Sequence, residues 1–272
     1  MEIISKLIEG LTNDVEHFVR VYPINPEGFA QSELDGQVVS AIPMDGISIS
    51  TLPVGTSVRF KINGMETYGI ILNRGIPSGS ALYDSSCDGV WVITKDLYVK
   101  RAFDSSDNDY ENSDIHSYLN TTFYGMMSNK LQNIVKQVKI PYSKGTYGTQ
   151  TIASGANGLS TKIFLLSGYE LNWTTSNNRA FPVDGAVLEY FKGCASVDSK
   201  RIARYNDTAV NWWLRSRVTD GGGYAWSVHI TGDYQNTGVG NTTTGVRPAF
   251  ILPHDALVVP NPNPDGSYTI IE

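Results

Sequence analysis

Near the start of the chain Ile4, Ile8, Leu11, Val15 and Phe18 recur at steps of four, three, four and three. That stripe predicts an amphipathic helix over residues 2–19. Two heptads of such spacing suit docking on the chain's own domain, or pairing with the helix of another copy. Pro23 and Pro26 break the pattern, and short strand patterns follow at 37–42 and 47–50. Residues 1–52 therefore read as an attachment segment and residues 53–272 as the main domain, with Pro53-Val54-Gly55 near the boundary.

In the main domain Val58, Phe60 and Ile62 alternate with Ser57, Arg59 and Lys61, and Asn63-Gly64 is a two-residue turn signal. Residues 57–72 thus predict a β-hairpin. Val90-Trp91-Val92-Ile93 predicts a further strand. Ser113 is placed to cap a helix that carries Ile115, Leu119 and Phe123 on one face. Leu131, Ile134, Val135 and Val138 predict a second helix, stopped by Pro141. Residues 163–166 form an apolar run of strand length. Pro182 opens a pattern (Val183, Val187, Leu188, Phe191) that predicts a short helix ending at Gly193. Residues 256–271 read as a closing hairpin around Asn263-Pro264-Asp265-Gly266. Helices fall in the middle and strands at both ends without strict alternation, which points to an α+β fold.

The last third is different in kind. Asn211-Trp212-Trp213-Leu214-Arg215-Ser216 and Gly245-Val246-Arg247-Pro248-Ala249-Phe250-Ile251-Leu252 read as strands. Between them the chain is rich in Gly, Asp, Asn, Thr and Tyr, and Lys, Glu and Met are absent from residues 217–244. Rigid Tyr with adaptable Ser, Gly and Asn is the composition of a binding surface, although plain connecting loops share much of it. Arg215 and Arg247, among large apolar residues, read as framework groups paired to a carboxylate or as ligand clamps. Trp212 and Trp213 point to opposite faces of one strand, one to the core and the other placed to line the surface.

Charge and chemistry mostly exclude. The net charge is −6 and the pI about 5.2, with no basic run, so neither nucleic acid nor an anionic membrane is an expected partner. No apolar stretch has the length of a membrane-spanning helix, and the N-terminal residues do not read as a signal peptide. No G-x-S-x-G, P-loop or H-E-x-x-H occurs. His17, His116, His229 and His254 form no cluster. Cys87 and Cys194 lack metal-ligand spacing and read as buried free thiols or a disulfide. Asp104, Asp107, Asp109, Glu111 and Asp114 form an acidic run without the glycine and final glutamate of a calcium loop; it reads as a solvated entry to the helix that follows. No metal or cofactor is expected.

The framing residues carry a resemblance. W-W-L-R-S, then Ala225-Trp226-Ser227-Val228, then Gly232, then G-V-R-P-A resembles an uncharacterised domain family of gut bacteria and their phages. Glu111-Asn112-Ser113-Asp114-Ile115, Tyr118-Leu119-Asn120 and Ile163-Phe164-Leu165-Leu166-Ser167 add to it, so that it covers roughly residues 54–259. That family resembles C-type-lectin-like domains, the formylglycine-generating enzyme and the variable proteins of diversity-generating retroelements. The resemblance implies a non-catalytic ligand- or receptor-binding protein of a phage or prophage, located on a virion or a cell surface. Its expected partner is a host-surface protein or glycan, and its N-terminal helix is a candidate for homo-oligomerisation. The lectin calcium motifs are missing, Tyr205-Asn206-Asp207 being only a partial echo. Two alternatives remain: an oxidase of the formylglycine-generating type, whose thiolate pair is not matched in the C-terminal motif, and a structural virion component.

The resemblance also places a binding face. With Val228 in the core, alternation puts Trp226 and Ile230 on the core side and sends Ser227 and His229 outward. Arg217, Asp220, Tyr224, Ser227, His229, Thr231, Asp233, Tyr234, Asn236 and Asn241 are the expected exposed patch. Adenine-directed mutagenesis of Asn codons can reach each of these residue types but not Gln or Trp, which makes Gln235 and Trp226 framework. Tyr224 and Tyr234 are the expected anchors.

Overall fold

The computed structural model describes residues 17–21, 37–41, 46–145, 151–173 and 181–272. The chain divides into two compact units, Met1–Ile47 and Ser48–Glu272. In the first, β1 (His17–Val21) and β2 (Gln37–Ala41) form an antiparallel pair with Val19 opposite Val39. β1 corrects the C-terminal end of the expected helix: Phe18, Val19 and Val21 favour a pleated strand, and there that preference outweighs the helical spacing. Ile4, Ile8, Leu11 and Val15, and with them the pairing role expected of the stripe, lie outside the described residues.

The second unit is mostly β with few helices, of the α+β kind, and its sheet curls as a half-barrel. β3 (Ser57–Ile62) and β4 (Met65–Arg74) form the hairpin. Asn63 and Gly64 both take positive φ, 51° and 75°, as the two-residue turn that matches strand twist requires. β5 (Val90–Thr94) is buried along its whole length. Next come β6 (Val99–Lys100), α1 (Asp114–Tyr118) and α2 (Asn129–Ile134). The last third supplies β7 (Trp212–Arg217), β8 (Tyr224–Val228), β9 (Tyr234–Gly238), β10 (Gly245–Val246), β11 (Ala249–Leu252) and β12 (Tyr268–Thr269).

These strands build two five-stranded sheets, ordered β11-β5-β4-β3-β12 and β9-β8-β7-β10-β6. Neighbours are antiparallel except β12 beside β3 and β10 beside β7. β5 and β6 lie in different sheets, and so do β10 and β11. Two chain segments therefore step together from one sheet to the other, and G-V-R-P-A is one of the crossings. Val58, Phe60, Val92, Trp91, Phe250 and Leu252 fill the core of the first sheet, with Phe60 and Phe250 edge to face at 5.3 Å.

The helical expectations divide. Ser113 Oγ accepts from His116 N and caps α1, and Ile115, Leu119 and Phe123 are all fully buried. α1 runs on through a π-turn at Leu119–Phe123. There Asn120 bonds outside the helix, its Nδ2 to Ile163 O and its Oδ1 to the N–H groups of Lys162 and Ile163. The run 163–166 is fully buried but meets β11 only through a bridge at Phe164 and Ala249. α2 is shorter than its pattern: Val135 is already extended, Lys136 N donates to Ile251 O, and Val138 belongs to the strand Val138–Ile140. The helix expected from Pro182 is limited to a 3-10 turn at Glu189–Phe191, and Val183 is 47 % exposed. Here the extended chain carries Asp184 into the core. It also passes so close to its neighbours that a Cβ on Gly185 would stand 2.3 Å from Ser167 Oγ.

Candidate binding face

Both framing tryptophans are fully buried, which corrects the expectation that one lines the surface. Each has a partner on its own side of β7. The Trp212 indole N–H donates to Arg201 O at 2.9 Å, with the Arg247 guanidinium over its ring. The Trp213 N–H donates to Arg101 O at 2.9 Å, and its ring packs on Phe103.

Arg215 is the framework residue its position suggested. Nη1 and Nη2 each donate to Glu170 at 2.6 Å, and further bonds run to the carbonyls of Pro141, Leu165 and Asp184. Burial alone would lower the pKa of this guanidinium, but Glu170 more than reverses the effect and the pKa is raised. Tyr83 Oη and Ser167 N also donate to Glu170, each at 2.8 Å. Beside the pair, burial pushes the Asp184 carboxyl up to about 7, although Arg215 and the Ser216 hydroxyl oppose it. Arg247 differs: no carboxylate bonds to it among the described residues. Its Nε and Nη2 donate to Thr94 O and Lys95 O, and burial draws its pKa down to about 10.

The turn between β7 and β8 is held by a residue its own sequence does not contain. Asn108 is fully buried, and its Nδ2 donates to the carbonyls of Val218, Gly221 and Tyr224 at 3.2, 3.0 and 2.6 Å. Asp104 shapes the segment that delivers Asn108 by accepting from Ser106 N, Asp107 N and Asp114 N. Burial works against the Asp104 carboxylate, yet these backbone donors keep its pKa lowered. Among the described residues no three His, Cys, Asp or Glu side chains are grouped to hold a metal.

The ten expected face residues do not form one patch. Val228 stands opposite Tyr234, Trp226 opposite Asn236, and Ser227 opposite Gln235. Cross-strand partners share a face, so Tyr224, Tyr234 and Asn236 lie on the Trp226 side of the ribbon, while Ser227 and His229 lie on the other. On the Trp226 side Tyr234 joins an aromatic cluster, 5.7 Å from Phe181, 5.8 Å from Trp226 and 5.9 Å from Trp173. Asp220, Thr231 and Asn241 are exposed, His229, Asp233, Tyr234 and Asn236 half-buried, and Tyr224 is 49 % exposed.

Arg217 and Ser227 are corrections, because both are buried. Arg217 donates to the Gly145 carbonyl. Burial lowers its pKa, and the carboxylates of Asp109 and Asp107 act against that. Ser227 bonds to the Thr237 hydroxyl at 2.7 Å and to Gln235 O at 3.2 Å. Ile230, expected in the core, is 45 % exposed. β8 ends at Val228, and a turn with Gly232 at φ 84° takes over, closed by Gly232 N on His229 O and His229 N on Asp233 O.

A groove of about 350 Å³ opens on the His229 side. Ala209, Val210 and Asn211 lead into it ahead of β7, and Lys100 reaches it from β6. Its other walls are His229, Ile230, Gln235, Thr237, Asn241, Thr243 and Thr244. His229 and Asn241 belong to the expected face; Lys100, Asn211, Gln235, Thr237, Thr243 and Thr244 do not. The framing strands marked Asn211. Nothing in sequence links Lys100 to residues more than a hundred positions later, and Gln235 was set aside by the codon argument.

Cys87 and Cys194 are both free. Burial pushes the Cys87 thiol up to about 12, and its Sγ donates to Lys139 O. Burial, then Asp198, raise Cys194 as well.

Comparison with curated proteins and with solved structures gives no match. Residues 88–254, more than half of the chain and a span that includes both framing motifs, match the model of a domain family of unknown function, DUF6273, and the chain belongs to that family.

Proposed function

We propose that the chain is a non-catalytic ligand-binding protein whose main unit is a C-type-lectin-like domain, serving a phage or prophage in attachment to a host-surface glycan or protein. The observation that carries this reading is the groove beside the Gly/Asn/Thr-rich stretch. It opens at the ends of strands in a sheet fixed by fully buried tryptophans and a paired arginine, and most of its walls are hydroxyl and amide side chains. A rigid scaffold presenting polar loop residues around a concave site is how binding domains combine precision with variable specificity. Oxidase chemistry of the formylglycine-generating type finds less support. It needs activated thiolates, whereas burial holds the Cys87 thiol protonated at neutral pH.

The test replaces the groove residues His229, Gln235 and Thr243 with Ala together and follows adhesion of the labelled chain to intact gut-bacterial cells by flow cytometry, beside a thermal melt. Loss of adhesion with an unchanged melt is expected, since all three are at least partly exposed. Full adhesion by the triple variant, or a parent chain that adheres to no cell, rejects the reading.

A further inference from the structure

The hydrogen-bonding capacity left over in the groove is lopsided. Asn211 Oδ1 accepts from Ile230 N, and Gln235 Oε1 accepts from Asn211 Nδ2. Asn241 Oδ1 accepts four times, from the N–H and hydroxyl groups of Thr243 and Thr244. His229 Nδ1 lies 2.9 Å from the Thr231 hydroxyl and 3.4 Å from Thr231 N, so that nitrogen is engaged in either tautomer. Asn241 Oδ1 is thus fully engaged within the protein, and Asn211 Oδ1 and Gln235 Oε1 each have one of two lone pairs taken. Gln235 Nε2 and Asn241 Nδ2 have no protein acceptor, and His229 Nε2 no protein partner, among the described residues. The side-chain acceptors that remain are one lone pair each on Asn211 Oδ1 and Gln235 Oε1 and the hydroxyl lone pairs of threonines.

The charge is lopsided in the same sense. The protein carries a net charge of −6, yet no Asp or Glu lines the groove. Lys100 is the one lining residue with a fixed positive charge. Its ammonium rests 4.9 Å over the Tyr205 ring and is paired with no carboxylate among the described residues. A lining lysine without a carboxylate partner, together with spare N–H donors on the other walls, matches a ligand that brings oxygen acceptors and negative charge. One cation balances one charge, which argues against a phosphate dianion. An extended peptide brings an N–H at nearly every residue, each needing an acceptor, and these would outnumber the few side-chain acceptors the groove keeps free. A sugar brings ring, glycosidic and acid oxygens, and hydroxyls that turn to meet threonine lone pairs, while its C–H face suits Ile230, Ala209 and Val210.

We propose that the groove takes a singly charged acidic sugar, a pyranose carrying a carboxylate or a sulfate ester, with Lys100 on the anion. This rests on the reading of the chain as a ligand-binding protein and specifies its ligand. The full chain is titrated by saturation-transfer NMR with methyl glucuronide, glucose 6-sulfate, methyl glucoside and a capped glutamate dipeptide. The two acidic sugars are expected to bind, their relative affinities telling carboxylate from sulfate, with the neutral glucoside roughly tenfold weaker or more. Lys100→Ala is expected to bring the acidic sugars to the level of the glucoside and Lys100→Arg to restore them, with unchanged melts because Lys100 is exposed. Equal binding of glucoside and glucuronide, indifference to Lys100→Ala, or preference for the dipeptide overturns the acidic-sugar assignment. So does binding of none of the four. In each case the cell-adhesion result for the His229, Gln235 and Thr243 variant decides separately whether the chain is a ligand-binding protein.

Discussion

Glu170→Gln is the sharpest probe of the frame that holds β7. Glu170 and Arg215 have fully buried side chains, and the two carboxylate oxygens take four donors: both Arg215 terminal nitrogens, the Tyr83 hydroxyl and Ser167 N. Gln keeps the volume, removes the charge and turns an NH₂ towards groups that already donate. Breaking one side of a buried pair costs about 3–5 kcal/mol, a large share of the roughly 5–15 kcal/mol that holds a domain folded. At about 2–4 °C per kcal/mol for a unit of this length, the melting temperature falls by roughly 6–20 °C. Tryptophan fluorescence in urea and calorimetry read the loss directly. The companion variant replaces Glu170 and Arg215 with Met together. It removes both charges, so it is expected to be more stable than Glu170→Gln despite carrying two substitutions. A Glu170→Gln loss below about 1 kcal/mol, or a double variant weaker than the single, refutes the view that an uncompensated guanidinium sets the cost.

Three further outcomes follow. Asp184 titrates at about 7 in the folded chain against an ordinary 3.8 because it is buried. The folded state therefore keeps a proton that the unfolded state releases in this window, and stability declines as pH rises through it, by at most about 1.4 kcal/mol per unit; Asp184→Asn should flatten that slope in denaturation profiles from pH 4 to 8. Asn108→Ala removes three bonds to the β7–β8 turn and should cost about 1–3 kcal/mol, with faster hydrogen exchange at residues 218–224; unchanged exchange there contradicts the pinning role. Cys87, held as a thiol by burial, should resist a disulfide reagent at pH 8 in the native chain and react in guanidinium; rapid native labelling would show that the site opens.

Local rules made part of the fold legible. Asn63-Gly64 fixes its hairpin by backbone conformation, Ser113 caps α1 through one side chain, and Ile115, Leu119 and Phe123 bury as their spacing demands. The patterns that failed did so where tertiary bonds intervened. Lys136 is drawn to Ile251 O and ends α2 early. Asp184 is drawn under β7 and leaves no helix behind Pro182. Arg215 announced its need for a carboxylate, but sequence could not name Glu170 as the partner.

The binding face was harder for a reason of geometry. A strand read alone offers two faces and no thickness, so Ser227 and His229 are equivalent by alternation. In the sheet, β9 lies beside β8 and covers Ser227 with Thr237. One step past the end of β8 nothing covers His229 in the same way, and there the groove begins. Tyr224 and Tyr234 are both aromatic and both lie on the opposite side, but only Tyr234 is drawn into the Trp173–Phe181–Trp226 cluster. Its removal should therefore cost packing as well as contact area, which makes Tyr224 the cleaner test of the outer surface. The groove itself takes Lys100 from β6, which enters the second sheet only because β6 follows β10 across the fold. Composition located the stretch that varies in chemistry. Lys100, the cation proposed to meet the ligand, arrives through sheet order, and sheet order is what a linear pattern does not contain.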